Sequence, residues 1–598
     1  MCGITGVAVC RGHDVGVSDA DVARMRDAMA HRGPDGAGLW RGEHVVLGHR
    51  RLAVVDVSSA GSQPMESRDG RFVLVYNGEL YNDAELRREL SAEGVVFRSS
   101  CDTETVLESI ARWWRDGVWR LRGMYALACY DVRRRMLLLA RDPLGIKPLV
   151  TWQGARGGTV EFAFASELPA LLKHPRVERT PNLRTLSAYM TTIRTTLGAM
   201  TLYEGVLALR PGECVEVDLS GDAPEYVSFD WWREHRPVRG GGADAAGRVR
   251  EVVEDSIRRH LRADVPTCAL LSGGLDSTIV CSVAKASLGE LRTYCAGARD
   301  EGEAPDFTYA RLVAGMLGTT HTEAPVTREL FLERWRELVR RLGRPLSTPN
   351  EVAIHEVSER IRADGCVVTL SGEGADELFG GYDQSLRAAA KFVREQPRGD
   401  GGAFEYASAA WAGLDAKRLL FRSEVWDAVG RDESAVELYR REFGMCLDRA
   451  GDAHQAHLMM QRRVNLTGLL ERLDGATMLA SVEGRTPLAD LEVALCAESL
   501  PMEEKFVEGE GGAAAQTKRV LRRAFSREVP EAVLARPKAS FPLPFQGWVG
   551  GMAEVIRGSG LLSALFRPSA IETVADAPEE FWHLAWPMAN LALWGESW

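Results

Sequence analysis

No stretch of this 598-residue chain reaches about 18 uninterrupted apolar residues, so a membrane-spanning helix is not expected. The apolar start, Met1 to Cys10, is short and lacks the basic residues that open a secretory signal; it reads as a buried strand. Cysteine is sparse and odd in number. The 11 residues include no Cys-x-x-Cys pair, which argues against a disulfide framework or a zinc ribbon and for reduced thiols in a cytoplasm. Positive charge is in deficit: 73 Lys and Arg face 84 Asp and Glu, a net charge of −11 that excludes the basic face of a nucleic-acid binder. The Gly-x-x-x-x-Gly-Lys phosphate loop is missing too, so any nucleotide site must be built another way. What is present, 45% hydrophobic and 26% charged residues, is an ordinary globular composition able to bury a sizeable core.

The chain changes character once. Up to about residue 227, apolar runs such as Val45-Val46-Leu47-Gly48, Phe72-Val73-Leu74-Val75-Tyr76 and Met136-Leu137-Leu138-Leu139-Ala140 alternate with turn residues and predict strands. Two helices interrupt them. Ser18 can cap residues 19–30, whose Val22, Met25 and Met29 share a face, and residues 102–115 carry Val106, Leu107, Ile110 and Trp114 at helical spacing. These features predict an α+β domain of layered sheets and helices over residues 1–236. Gly240, Gly241 and Gly242 mark a linker, 237–247. Beyond it, Cys268-Ala269-Leu270-Leu271 and Cys366-Val367-Val368-Thr369-Leu370 read as buried strands and residues 278–287 as a helix. An α/β parallel-sheet domain with a helical C-terminal part is therefore expected over 248–598, with a mobile Gly- and Ala-rich loop at 508–515.

Removal of Met1 would make Cys2 the N-terminus. Its α-amino group, with a pKa of about 7.7–8.0, can then act as base for its own thiol. Four motifs follow in order: His31-Arg32-Gly33-Pro34-Asp35, Gly48-His49-Arg50-Arg51-Leu52, Tyr76-Asn77-Gly78-Glu79-Leu80-Tyr81-Asn82 and Asp102-Thr103-Glu104. Together with Cys2 they resemble class II glutamine amidotransferases, which use an N-terminal nucleophile. The resemblance implies that Cys2 attacks the amide of L-glutamine and that the Asn77 side chain and Gly78 N–H form the oxyanion hole. It implies that Arg51 forks the substrate α-carboxylate, that Glu79 and Asp102 take its ammonium, and that Leu52 and Val54 complete the pocket. His31 is expected to shape the pocket rather than transfer a proton, and Cys101 to be a neighbour of Asp102 without chemistry of its own.

The run Leu270-Leu271-Ser272-Gly273-Gly274-Leu275-Asp276-Ser277 follows a predicted strand and opens a helix. Its glycines allow a tight loop with N–H groups aimed at phosphates, and the helix N-terminus adds partial positive charge. Ser371-Gly372-Glu373-Gly374-Ala375-Asp376 follows the second strand, and parallel strands bring both loops to one sheet edge. The first loop resembles the pyrophosphate loop of ATP pyrophosphatases, which split ATP into AMP and pyrophosphate. That resemblance implies ATP binding by Leu271, Ser272, Gly273, Gly274, Asp276, Ser277, Ser371 and Gly372, and Mg²⁺ binding by Asp276 and Asp376. Glu373 would guide the amine or take its proton. Lys518, in Thr517-Lys518-Arg519, would supply a cation for an acyl-adenylate and the leaving pyrophosphate, and Arg536 and Lys538 add charge nearby.

Both halves in this order resemble glutamine-hydrolysing asparagine synthetases, from Cys2 to about Trp548. The resemblance implies amidation of L-aspartate through a β-aspartyl-adenylate, an internal ammonia tunnel and a homodimer. Three segments depart from the family pattern. In Glu483-Gly484-Arg485-Thr486-Pro487-Leu488-Ala489-Asp490 two large apolar residues have shrunk, Lys538-Ala539-Ser540-Phe541 has Ser in place of Gly, and Gly343-Arg344-Pro345 lacks acidic residues. All three are expected to shape the acceptor pocket, and smaller side chains there would admit another carboxylic acid, as in amide-forming relatives from natural-product pathways. A non-catalytic or glutamine-independent relative need not retain Cys2, Arg51, Asn77, Gly78 and Asp102, all of which are present.

Overall fold

The computed structural model describes residues 2–10, 15–156, 159–235, 244–299, 305–408, 410–509, 516–536 and 543–596. Buried along its whole length, the strand Cys2–Val9 pairs antiparallel with Val45–Arg51 on one side and Thr159–Ala165 on the other, inside an eight-stranded sheet. Phe72–Leu80 and Gly123–Asp131 pair antiparallel in a second sheet of six strands. Ile4, Leu47, Val75, Ala128 and Phe164 fill the layer between the sheets. Every second residue of each strand faces that layer, which is why the apolar runs announce them.

Helices cover the outside. Ser18 and Asp21 form a reciprocal capping box at the start of Asp19–Asp27, which ends three residues earlier than the sequence pattern predicts. The helix Asp102–Trp113 stops at Trp114, where φ is +54°, and a short helix, Arg115–Trp119, replaces its expected last turn.

Asp244 caps the helix Ala245–His260, so the last three residues of the expected linker are helical; residues 236–243 lie outside the described residues. Five parallel strands follow in the spatial order Thr320–Val326, Arg292–Ala298, Thr267–Leu270, Val368–Leu370, Glu483–Arg485. The winding direction reverses between Thr267–Leu270 and Val368–Leu370. The crevice outside the carboxyl ends of two such strands is where open α/β sheets bind ligands. The helix after the first of them runs from Leu275 to Leu288, three residues earlier than its apolar pattern suggests, so Asp276 and Ser277 lie in its first turn. The rest of the described chain is mostly helical and includes a π-helical segment, Gln461–Leu466. All eleven cysteines are free, and no described helix is long and apolar enough to cross a membrane.

Buried charge joins the two halves. Arg32 lies 2.8 Å from Glu167 and 2.9 Å from Asp474, and Lys147 Nζ lies 3.0 Å from Asp474 on its other side. Burial opposes ionisation of Asp474, but Arg32 and Lys147 overcome it and hold the carboxyl below its ordinary value. Arg122–Asp490 at 2.9 Å and Arg141–Glu471 at 2.8 Å repeat the pattern, each pairing a cation of the first half with an anion of the second.

Asp474→Ala strands Lys147 and leaves Arg32 with Glu167 alone, a loss of about 3–5 kcal/mol. The expected outcome is a thermal midpoint lowered by several degrees at neutral pH. A carboxyl depressed by folding stabilises above its unfolded pKa and loses that effect as pH falls through the folded value, so the gap from wild type should close in acid. Identical melting curves at pH 7 would remove Asp474 from this role.

Candidate active sites

The first site is built where the two antiparallel sheets present their strand ends to the second half. Cys2 opens its strand, and its N–H donates to Asn77 Oδ1 at 2.9 Å. Asn77 is fully buried, and its Nδ2 has no hydrogen-bond partner. A buried donor left unmade is costly unless a ligand completes it. Next in the strand, a Cβ on Gly78 would collide with the Met124 carbonyl and come within 2.7 Å of Tyr125 Cβ, so only glycine fits against the neighbouring strand. Burial pushes the Cys2 thiol up, while the Leu52 backbone and the Arg51 guanidinium pull it down.

Arg51 donates to the carbonyls of Ser58, at 2.5 Å, and Asp56, which curls the loop around the guanidinium. Asp102 accepts the Leu80 N–H at 2.9 Å; burial raises its pKa and that hydrogen bond partly offsets the rise. Cys101 is pushed up to about 12 by burial and by Asp102, so it is no competing thiolate. Leu52 and Val54 are buried beside Tyr81 and Met124, in a core that continues into the second half. Glu79 pairs with Arg485 of the second half at 3.1 Å, and its Oε1 has no hydrogen-bond partner. Burial and Asp102 raise its pKa well above the carboxylate range. His31 pairs with Glu167 at 3.1 Å. Burial opposes ionisation of that glutamate, but His31 and Arg32 hold it at about 2. His31 therefore anchors the domain boundary, its carbonyl accepting the Ser481 hydroxyl at 2.6 Å.

The second site is a cavity of about 510 Å³ at the sheet's reversal point. Ser272, Gly274, Asp276, Ser277, Ser371 and Gly372 line it. Of the expected ATP contacts, Leu271 and Gly273 do not line it. Leu271 is buried with its N–H bound to Tyr294 O at 2.7 Å, and Gly273 turns the chain at φ +66° against the Tyr309 backbone. Lys518 stands at the entry to a helix. It takes a left-handed conformation, φ +49°, just before the helix Arg519–Ala524. From there its Nζ bridges Asp276 Oδ2 at 2.6 Å and Asp376 Oδ1 at 2.7 Å. Arg472 holds Glu373 and donates to Thr348 Oγ1 at 3.0 Å. Arg536 is committed to Asp306 and the Ser272 carbonyl; Lys538 lies outside the described residues, as do residues 510–515 of the expected mobile loop.

Two of the departures from the family pattern are placed differently from expectation. Leu488 and Ala489 are fully buried and do not face the cavity. Ala489 packs behind the second loop, where a Cβ on Gly374 would come within 2.8 Å of its own Cβ, so its small size relieves that loop rather than enlarging a pocket. Arg344 pairs with Glu351 at 3.1 Å and lines a separate, smaller cavity of about 110 Å³ between the halves. Sequence reasoning missed Lys147, Glu167, Asp474 and Arg194. Arg32 alone could have been found, inside a motif already singled out.

Residues 1–227 match the model of the glutamine amidotransferase domain and residues 248–596 that of asparagine synthase. The chain is 33% identical to a putative glutamine-hydrolysing asparagine synthetase of Mycobacterium bovis over 92% of this chain and 88% of that one. It is 29% identical to the glutamine-hydrolysing asparagine synthetase 3 of Bacillus subtilis over 91% of this chain and 87% of that one. A third relative, asparagine synthetase B of Escherichia coli K12, is 31% identical over 64% of this chain and 65% of its own.

Lys518→Met leaves Asp276 and Asp376 facing each other without their shared cation. Loss of a charge-assisted contact predicts an ATP affinity lowered about tenfold or more by calorimetry. Unchanged affinity would take Lys518 out of the nucleotide site.

Proposed function

Because the chain belongs to the asparagine synthase family, matched over residues 248–596, we propose that this ligase hydrolyses glutamine at Cys2 and uses the ammonia for ATP-driven amidation of a carboxylate in the second cavity. The observation that carries the reading is the buried, unpartnered Asn77 Nδ2 beside Cys2, in a chain whose second half clusters two phosphate-type loops around Lys518. We assign residues 1–236 to the glutaminase unit, 237–247 to the linker and 248–598 to the synthetase unit.

With Met1 removed, the Cys2 amine takes the thiol proton and Sγ attacks the glutamine amide carbon. Asn77 Nδ2 and the Gly78 N–H donate to the oxyanion. Collapse returns the proton to the leaving nitrogen, ammonia departs, and water hydrolyses the thioester to glutamate. Arg51 forks the substrate α-carboxylate, and Asp102 and Glu79 receive its ammonium.

In the second site the acceptor carboxylate displaces pyrophosphate from the α-phosphorus of ATP and forms an acyl-adenylate. Lys518 balances charge on the departing pyrophosphate, with the loop N–H groups of 272–274 facing the phosphates. Ammonia then attacks the acyl carbon, Glu373 accepts its proton, and AMP leaves. Asp276 and Asp376 fit Mg²⁺: both are hard oxygen donors, and Asp276 Oδ1 is buried with no hydrogen-bond partner. When bound, the ion would add positive charge at the phosphates.

L-Aspartate is the first reading for the acceptor. A second, a different carboxylic acid, is favoured by Tyr406, Trp411 and Tyr439 on the cavity wall, an aromatic surface that aspartate does not need.

Cys2→Ala should abolish glutamine-dependent turnover and leave turnover with ammonium salts; loss of both would refute the division of labour. Pyrophosphate release measured across a panel of carboxylic acids should respond to at least one of them. Release with aspartate names the first reading, release only with other acids the second, and silence throughout sinks amidation.

A further inference from the structure

The helix Leu183–Thr192 belongs to the first half, yet its end is locked into the second. Met190 O accepts the Ala412 N–H at 3.0 Å, Thr191 O the Trp411 N–H at 2.9 Å, and Thr191 Oγ1 the Lys417 ammonium at 2.8 Å. The helix ends at Ile193 in a left-handed conformation, φ +51°. A β-branched residue there is strained, and it is held because the turn sends the next residue, Arg194, toward the synthetase cavity. Arg194 lines both that cavity and the smaller one beside it. Its aliphatic stem lies over Gly468, where a Cβ would come within 2.9 Å of Arg194 Cδ.

Among the described residues no carboxylate forms an ion pair with the guanidinium. Nη1 is shielded from solvent and makes no hydrogen bond. The glutamates that line the two cavities are engaged elsewhere: Glu373 with Arg472, Glu405 with His457, Glu442 with Arg463, Glu471 with Arg141. A half-buried guanidinium with a shielded, unpaired N–H group is costly to the fold and is retained where a ligand supplies the acceptor. Around it, the π-helical segment Gln461–Leu466 turns Gln461, Val464 and Asn465 to the cavity, and such segments concentrate at functional sites. The nucleotide end of the cavity has its own cation, Lys518, already paired with Asp276 and Asp376. Arg194 therefore serves the part of the ligand that is not phosphate.

We propose that Arg194, contributed by the glutaminase half, binds a second anionic group on the acceptor, so that the acceptor is a diacid with one carboxyl activated and the other held. This rests on the amidation reading above, and it makes Arg194 a specificity residue that only the assembled two-domain chain possesses.

The test compares the full-length enzyme with Arg194→Gln and Arg194→Lys, using pyrophosphate release with two matched pairs of acids. L-Aspartate is set against 3-aminopropanoate, and L-glutamate against 4-aminobutanoate; each partner lacks only the α-carboxylate. Wild type should favour the diacid of at least one pair. Arg194→Gln should raise the KM for that diacid about 10- to 100-fold, leave the KM for ATP in place and bring the diacid-to-monoacid ratio toward one. Arg194→Lys should recover part of the preference, and melting curves check that both variants fold. An unmoved diacid KM, a shift in the ATP KM instead, or a wild type that treats both members of each pair alike overturns the inference while amidation stands. No pyrophosphate with any acid of the wider panel overturns amidation itself, and this inference with it.

Discussion

The Arg485 guanidinium is fully buried between the halves, with Glu483 at 2.6 Å, Glu79 at 3.1 Å, and the carbonyls of His260 and Arg262 each accepting at 2.6 Å. Burial alone would disfavour its charge, and the two glutamates reverse that. An ion held this way tolerates the loss of no partner, because each remaining group would be left desolvated. Glu79 stands directly after Asn77 and Gly78. Arg485 ends the strand that pairs with Val368–Leu370, and its carbonyl accepts the Ser371 N–H at 2.8 Å. One side chain thus fixes Asn77 and Gly78 of the first site relative to the loop that carries Glu373 and Asp376 in the second. A shift at either end must pass through it or break it, which is the kind of discrete element that coupling between sites requires.

The two loops were legible because their chemistry is local. Tight turns at the ends of parallel strands need glycine, as Gly273 does at φ +66°, and the strands beneath them are short continuous apolar runs. Cys2, Asn77 and Gly78 were legible through motif order, although 75 residues separate Cys2 from its partner Asn77. The network between the halves was not. Lys147 and Asp474 lie 327 residues apart, and nothing in either neighbourhood marks a buried cation or anion. Arg194 follows a helix that would pass for an ordinary amphipathic one. Leu488 and Ala489 were misplaced because a change of side-chain size shows in sequence, but the direction it faces does not.

The electrostatics of the two sites follow one economy. An acidic chain repels polyanionic substrates at long range, and the proposed mechanism answers with single cations, Arg51, Lys518 and Arg194, at the places assigned to anionic groups. Two are already occupied by protein oxygens, Lys518 by carboxylates and Arg51 by carbonyls. Their ligands must therefore exchange with existing partners rather than fill vacancies, which favours selectivity over raw affinity.

The Arg32–Asp474–Lys147 cluster also bears on how the chain is made. Synthesis runs from the N-terminus, so the first half leaves the ribosome with Arg32 met only by Glu167 and with Lys147 lacking its anion. The 327 residues between Lys147 and Asp474 take about 16–65 s to add at roughly 5–20 residues per second. Over that interval the nascent glutaminase half can collapse its sheets but cannot close the face that carries Arg32 and Lys147. Arg32 Nε also donates to the Cys2 carbonyl at 3.0 Å, so under the proposed function the setting of the nucleophile is completed late, by the segment proposed to use its product.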